Sequence, residues 1–159
     1  MEIVYQEIND VLLKKMIIHY ANMENTNYGS MEETIRGHLH FEEGSYSLVA
    51  LHDDTPVGFI STYTQSWTPP LENKKDAYID IIEVDRNYRR KGIASGLISR
   101  TEKWAQDNGF IQIRSWSSQD KLEAISMWHS LNYCMCPAKI WVEWCKEIVD
   151  GFYVAKKLN

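Results

Sequence analysis

Positive charge is concentrated where a predicted strand gives way to a predicted helix. Arg86, Arg89, Arg90 and Lys91 fall within six positions, and Gly92 follows directly. The first amides of a helix have no intrahelical acceptor and lie at the positive end of its dipole. A glycine there lets a ligand come close to the backbone. The combination predicts a phosphate or pyrophosphate site, and the alternative is a basic turn that only contacts solvent.

Two common phosphate-binding loops do not describe this segment. The sequence contains no G-x-x-x-x-G-K-[ST] pattern, and "GIASG" does not match G-x-G-x-x-G. The residues that would form the anion site are Arg89, Arg90, Lys91, Gly92, Ile93, Ala94 and Ser95.

Two carboxylates occupy the predicted strand "AYIDIIEV" that leads into this turn. Because strand side chains alternate, Asp80 shares a face with Ile82 and Val84, whereas Glu83 faces the other way. A carboxylate beside a reactive centre can accept a proton or hold a cationic group. Both are therefore candidates for chemistry next to the basic turn.

Composition narrows the class of protein. The 159 residues predict one domain, 1–159, with a net charge of −5. Residues 1–55 carry ten acidic and three basic side chains, whereas the rest carries twelve and fourteen. This distribution lacks the broad basic surface of a nucleic-acid binder and indicates a local anion site beside an acidic surface. The acidic part is equally well explained as a solvated face.

The apolar runs and the number of cysteines indicate where in the cell the protein is expected. No signal peptide is apparent, and no apolar run approaches the ~20 residues that span a bilayer. Three cysteines argue against a disulfide framework and for a reducing, cytoplasmic setting. Cys134 and Cys136 lack partners at zinc spacing, so we expect buried free thiols and no metal site.

The predicted elements follow the order β-α-α-β-β-β-α-β-α-β-β. A helix capped by Asn9 or Asp10 comes first, and a second opens with a capping box at Ser30 and closes at Gly44. A hairpin turns at residues 53–54, and the helix after Gly92 ends at residues 108–109. We expect an α/β (α+β) fold: a mixed, mostly antiparallel sheet of about seven strands with one parallel pair, flanked by about four helices.

The basic turn also carries a resemblance. "RRKGIA" fits Q/R-x-x-G-x-G/A between a strand and a helix, and it resembles the acetyl-CoA motif of the GNAT superfamily of N-acetyltransferases. "AISMWHSLNY" and "GFYVAKKL" look like that family's late helix and closing strand. The resemblance implies that backbone amides from Arg90 to Ser95 bind the pyrophosphate of acetyl-CoA. The main chain of Val84, with Ile82 two positions before it, would hold pantetheine and the thioester. The family usually has a bulge there that opens a cleft between the parallel strands.

The implied reaction is direct attack of a primary amine on the thioester. Asp80 shares the face of Val84, so it is preferred over Glu83 as base or amine anchor; a bulge could reverse that order. Tyr63, Trp67 and Trp116 are candidates for contacting a small cationic amine or a basic peptide, although such aromatics are often core. Family members are often dimers, which makes a homodimer one expectation.

The late helix departs from the family pattern. The usual proton-donating tyrosine is Trp128, and the frequent upstream asparagine is Lys121. His129, one residue on, lies about 100° around the helix and is expected at the surface. The missing tyrosine leaves a second hypothesis, a non-catalytic acyl-CoA sensor or interaction module.

Overall fold

The computed structural model describes residues 1–21, 24–25, 29–66, 74–143 and 145–158. The helices are α1 (Asp10–Tyr20), α2 (Met31–His38), α3 (Ile93–Asp107) and α4 (Leu122–Ser130), with a 3₁₀ turn at Arg86–Tyr88. The strands are β1 (Val4–Glu7), β2 (Glu24–Asn25), β3 (Gly29–Ser30), β4 (Tyr46–His52), β5 (Thr55–Ser66), β6 (Lys75–Val84), β7 (Gln112–Ser118), β8 (Cys134–Val142) and β9 (Glu147–Lys157).

Seven strands form one mixed sheet in the order β1-β4-β5-β6-β7-β9-β8, and β2 pairs separately with β3. The parallel pair is β6 with β7, in register from Asp76 opposite Gln112 to Tyr78 opposite Arg114. The other pairs with a described register, β1–β4, β4–β5, β7–β9 and β8–β9, are antiparallel. The predicted seven-stranded mixed sheet with four helices is confirmed.

Two compact units divide the chain, with boundaries inside β5, β6 and α3. The first unit comprises residues 1–64 and 79–104, and the second comprises residues 65–78 and 105–159. The first unit buries one apolar cluster against α1 and α2: Ile8, Leu12, Met16, Tyr20, Ile35, Val49, Leu51, Phe59 and Ile81. In the second unit the rings of Trp128 and Tyr133 pack 4.8 Å apart, and both side chains are buried.

Local sequence signals place most element ends correctly. The Asn9 side chain caps α1 by accepting from two first-turn amides, and Ser30 with Glu33 forms the expected capping box on α2. Asp53 and Asp54 both have positive φ, as a two-residue hairpin turn requires. Gly109, at φ 76°, ends α3 as predicted.

Two expectations are wrong. Helix α2 ends at His38 and not at Gly44, because Leu39 is extended and the following backbone bonds to the sheet: the His40 amide donates to the Ser61 hydroxyl at 2.9 Å. Cys134 and Cys136 are free but exposed, since they lie on β8, which has only β9 as a neighbour. The end of α2 is therefore set by a contact with the sheet, and the exposure of the two cysteines by the edge position of β8.

Strand β8 forms one edge of the seven-stranded sheet. Pro137 lies within it, opposite Phe152 of β9, and Lys139 follows two positions later opposite Asp150. Proline has no amide hydrogen, so within sheets it occurs on edge strands with its nitrogen facing away from the neighbouring strand. Among the described residues, no helix is long and apolar enough to cross a bilayer.

Candidate active site

Two histidines converge on the strand carboxylate Asp80. His38, the last residue of α2, places Nδ1 3.0 Å from Asp80 Oδ2. His40, two residues on, places Nε2 2.9 Å from the same oxygen. The three side chains are 24–30% exposed, so the cluster is packed but can be reached from solvent. Among the described residues no hydrogen bond reaches Asp80 Oδ1.

Buried serines fix the backbone that carries His40. The His40 amide donates to Ser61 Oγ, and Ser47 Oγ donates to the His40 carbonyl at 2.9 Å. The two hydroxyls also bond to each other at 2.7 Å, and both serines are nearly inaccessible. The His40 ring packs on Tyr63, with centroids 4.6 Å apart, and its Nδ1 lies 3.0 Å from Glu42 Oε1. Strands β4 and β5 therefore determine where His40 lies.

The cluster shifts the proton affinity of its members. Burial alone would raise the pKa of Asp80, but hydrogen bonds from His38 and His40 outweigh it and hold the pKa below its usual value. The hydrogen bond to Asp80 raises the pKa of His38, against the opposing effect of burial. Asp80 is thus a carboxylate at neutral pH, and His38 titrates above an ordinary histidine.

The other candidate carboxylate lies in a different environment. Burial, and after it the charges of Asp85 and Glu83, raises the pKa of Tyr20, which packs in the core of the first unit. Glu83 therefore acts on Tyr20, and Asp80 on the histidines. That the two carboxylates lie on opposite faces of β6 stays a prediction from the strand alternation.

The basic turn has the backbone conformation that an anion site needs. Gly92 has φ 78°, and a Cβ added to it would meet no atom within 4 Å. The first helical bond of α3 runs from the Gly96 amide to the Gly92 carbonyl, so the amides of Ile93, Ala94 and Ser95 precede the hydrogen-bonded helix. Ile93 is buried, whereas Gly92 is exposed. A left-handed glycine beside open space and helix-start amides fits a diphosphate.

Three of the four cations of the turn differ in what they contact. Arg89 Nε donates to the Val84 carbonyl at 3.1 Å. Lys91 Nζ donates to the Asn87 carbonyl at 3.0 Å and lies over the Tyr88 ring. Arg90, itself at φ 62°, is exposed. Arg89 therefore occupies the Val84 carbonyl that the resemblance assigns to pantetheine.

The end of β6 is packed closely against β5. A Cβ on Gly58 would come within 2.9 Å of the Glu83 carbonyl and 3.3 Å of Val84 and Ile93 side-chain atoms. The Asp85 amide also donates to the Val57 carbonyl at 3.0 Å. Gly58 thus lets the two strands approach where the thioester is expected, and Ile82 is half-buried on the same strand.

The remaining predicted residues belong to different parts of the chain. Tyr63 joins the histidine cluster, Trp67 lies outside the described residues, and Trp116 belongs to the second unit, opposite Tyr153 on β9. Trp128 is 1% exposed and its indole donates to Ser117 Oγ at 2.9 Å, so it packs and cannot donate a proton to substrate. His129 is exposed, as expected. The described residues contain no group of three side chains that could hold a metal ion.

Sequence reasoning missed His38 and His40. The signal was the pair of histidines two positions apart in "RGHLHFEE", at the end of an amphipathic helix. A helix that continued to Gly44 would place the two histidines on different sides of its axis. In the structure the chain is extended after His38, and both rings contact the same carboxylate.

Comparison with known proteins identifies the family of the chain. The family model of the acetyltransferase (GNAT) family matches residues 14–133. No curated protein matches the chain by sequence. Similar solved structures include the Escherichia coli ribosomal-protein-S18-alanine N-acetyltransferase (14% identity, 99% of this chain and 95% of that one, TM-score 0.72). Another is Arabidopsis thaliana NAA60 in complex with acetyl-CoA (15% identity, 99% of each chain, TM-score 0.75). A third is the NatC complex bound to Gag peptide and CoA (18% identity, 100% of each chain, TM-score 0.73). Because the family model covers well over half of its length, the chain belongs to the GNAT acetyltransferase family and is an acetyl-CoA-dependent N-acetyltransferase.

Proposed function

We propose that the protein transfers the acetyl group of acetyl-CoA to a primary amine of a peptide or of a small cationic molecule. The observation that carries this proposal is the arrangement at Asp80: two imidazoles hold Oδ2, and Oδ1 makes no described hydrogen bond. An ionised carboxylate with one oxygen committed and the other available suits an ammonium group. The whole chain, residues 1–159, would act as one catalytic domain.

The basic turn would hold the donor. Acetyl-CoA supplies an activated thioester carbonyl, and the amides that follow Gly92 would bind its diphosphate, with Arg90 adding charge. Val84 and Ile82 would lie along pantetheine, after Arg89 releases the Val84 carbonyl. Ile93 contributes its amide only, because its side chain is buried.

Asp80 would anchor the amine and would not be its main proton acceptor. Its lowered pKa keeps it charged, which favours binding of an ammonium over removal of a proton. An amine with pKa near ~10.4 is neutral in about 0.04% of molecules at pH 7, a cost of ~4.6 kcal/mol. A peptide α-amine, with pKa of about 8, costs only ~1.4 kcal/mol. The lower free energy of deprotonation therefore favours an α-amine acceptor.

The comparisons support the same choice. One similar protein is named for acetylating an alanine of ribosomal protein S18, and another is bound to a peptide. Tyr63, against His40, would flank the acceptor.

The test is release of free thiol from acetyl-CoA over a panel of acceptors: peptides with free α-amines, the same peptides blocked at the N-terminus but carrying lysine, and polyamines. Mass spectrometry should show the gain of one acetyl group on the α-amine peptides. Activity only on blocked peptides would indicate a lysine acceptor instead of an α-amine, and activity only on polyamines would indicate a small cationic acceptor. Binding of acetyl-CoA without thiol release to any acceptor would favour the acyl-CoA sensor.

A further inference from the structure

Glu42 contacts the nitrogen of the His40 ring that does not face Asp80. Its Oε1 lies 3.0 Å from His40 Nδ1, and His40 Nε2 lies 2.9 Å from Asp80 Oδ2, so the imidazole bridges two carboxylates. We infer that Glu42 is a positioning residue: it holds the His40 ring against Asp80 Oδ2, and this leaves Oδ1 as the single oxygen that receives the substrate ammonium. This inference rests on the proposed transfer to an amine anchored at Asp80.

The contacts of Glu42 itself keep its carboxylate in this position. Its Oε2 accepts from the Phe41 amide at 3.1 Å while Oε1 faces His40. Its carbonyl accepts from the amide and from the hydroxyl of Ser45, at 3.0 and 2.6 Å. A hydrogen bond from its own backbone amide outweighs burial and, together with His40, holds the pKa of Glu42 below its usual value. Although 57% exposed, Glu42 is therefore an ionised group with a defined place.

The other contacts of His40 do not determine the orientation of its ring. Ser61 and Ser47 bond to its backbone, and the ring packs on Tyr63 with centroids 4.6 Å apart. A half-turn of the ring about its Cβ–Cγ bond would keep all of these contacts, but it would put carbon atoms where the two nitrogens lie. The bond to Glu42 is thus a second hydrogen bond, besides the one to Asp80, that a flipped ring would lose.

The two histidines saturate one oxygen of Asp80. An ionised carboxylate oxygen has two lone pairs, and Oδ2 receives His38 Nδ1 at 3.0 Å and His40 Nε2 at 2.9 Å. Hydrogen bonds from both rings lower the pKa of Asp80 against the effect of burial, as expected when both donate. An ammonium needs one carboxylate oxygen, whereas a guanidinium pairs with both in parallel. The site should therefore bind an ammonium in preference to a guanidinium.

Steady-state kinetics with an amine acceptor test the role of Glu42. Glu42→Ala should raise the KM for the amine about 3–10-fold, the worth of one hydrogen bond, and leave kcat and the KM for acetyl-CoA within about twofold of the parent. Glu42→Gln keeps an oxygen acceptor and should restore part of the affinity. Glu43→Ala is the matched control, because it removes the same charge from the next exposed residue, whose carboxylate has no contact in the described part of the chain. Equal KM values for the two alanine variants overturn the inference.

A double-mutant cycle tests whether Glu42 acts through His40. His40→Ala should raise the KM for the amine by itself. Adding Glu42→Ala to it should cause no further rise, because residues in one hydrogen-bonded chain are not additive. Additive effects would mean that Glu42 attracts the amine only by its charge, and they overturn the positioning role.

Two measurements need no turnover. In nitrogen-15 NMR of the substrate-free protein, Glu42→Ala should shift the Nδ1 resonance of His40 and Glu43→Ala should not; equal shifts overturn the inference. A peptide with an N,N-dimethylated α-amine remains an ammonium that cannot be acetylated, and it should compete with the amine substrate. The same peptide with a guanidine in place of the α-amine should compete about tenfold more weakly. Equal inhibition by the two peptides overturns the single-oxygen anchor.

The failure of this inference differs from that of the proposed function. A parent protein that releases no thiol with any amine overturns both. An active parent whose Glu42→Ala and Glu43→Ala variants behave alike overturns only the role of Glu42.

Discussion

Substitution of Gly92 by valine tests whether the turn before α3 binds the donor. At φ 78° a side chain costs about 1–3 kcal/mol of backbone strain, but the Cβ meets no neighbour, so the protein should still fold. In the parent, acetyl-CoA at 100 times its Kd should stabilise the folded state by about 2.7 kcal/mol. If the valine obstructs the diphosphate and weakens binding a hundredfold, the same concentration contributes only ~0.4 kcal/mol. For a chain of this size the ligand-induced Tm shift should therefore fall from roughly 5–11 °C to about 1–2 °C.

Gly109 offers a matched control. It has φ 76°, its Cβ would also meet nothing within 4 Å, and it follows the opposite end of α3. Gly109→Val should thus lower Tm by a similar amount and keep the full acetyl-CoA shift. The assay is thermal unfolding with and without acetyl-CoA. An undiminished shift in Gly92→Val, or an equal loss in both variants, would refute the assignment of the cradle to this turn.

Three further predictions concern packing and pH. Trp128→Ala should cost about 3–5 kcal/mol in urea unfolding, whereas Trp128→Phe should keep most activity; a stable phenylalanine variant with a hundredfold lower rate would contradict the packing role. Ser61→Ala should cost about 1–3 kcal/mol and speed hydrogen exchange at the His40 amide, because that partly buried donor loses its acceptor. Unchanged exchange would argue against the contact. Because its pKa is raised in the folded state, His38 adds stability that is fully present below pH 6.5 and is lost as the pH rises. Because its pKa is lowered, Asp80 adds stability that is present above pH 3.8 and is lost as the pH falls. Asp80→Asn should therefore destabilise more at about pH 5.5 than at about pH 8.5, and an equal effect at both would count against the ion pair.

Signals within a few residues of one another were sufficient for much of the fold. The Asn9 cap, the capping box at Ser30 and the turn at Asp53 and Asp54 all depend on contacts between near neighbours in the chain. The strand–turn–helix around Gly92 is equally local, and its left-handed φ matches the reason for expecting glycine there.

The histidine cluster was beyond local reasoning. His38 and His40 lie about forty positions before Asp80, and the bonds that end α2 come from β4 and β5. The pattern of α2 continues past His38 in the sequence, so only the partner strands determine where the helix stops. The sequence selects Asp80 as a candidate, and its role stays a prediction. The two histidines that bond to it were not foreseen, because no period or motif links them to β6.

The proline in β8 has a consequence for self-assembly. A second copy that joined the sheet at this edge would have to pair with a strand in which Pro137 provides no amide donor and Lys139 brings a charge. Strand addition at β8 would therefore produce an interrupted ladder. A homodimer of this chain would accordingly associate through another surface, and the same feature protects the free edge from the open-ended stacking that leads to fibrils.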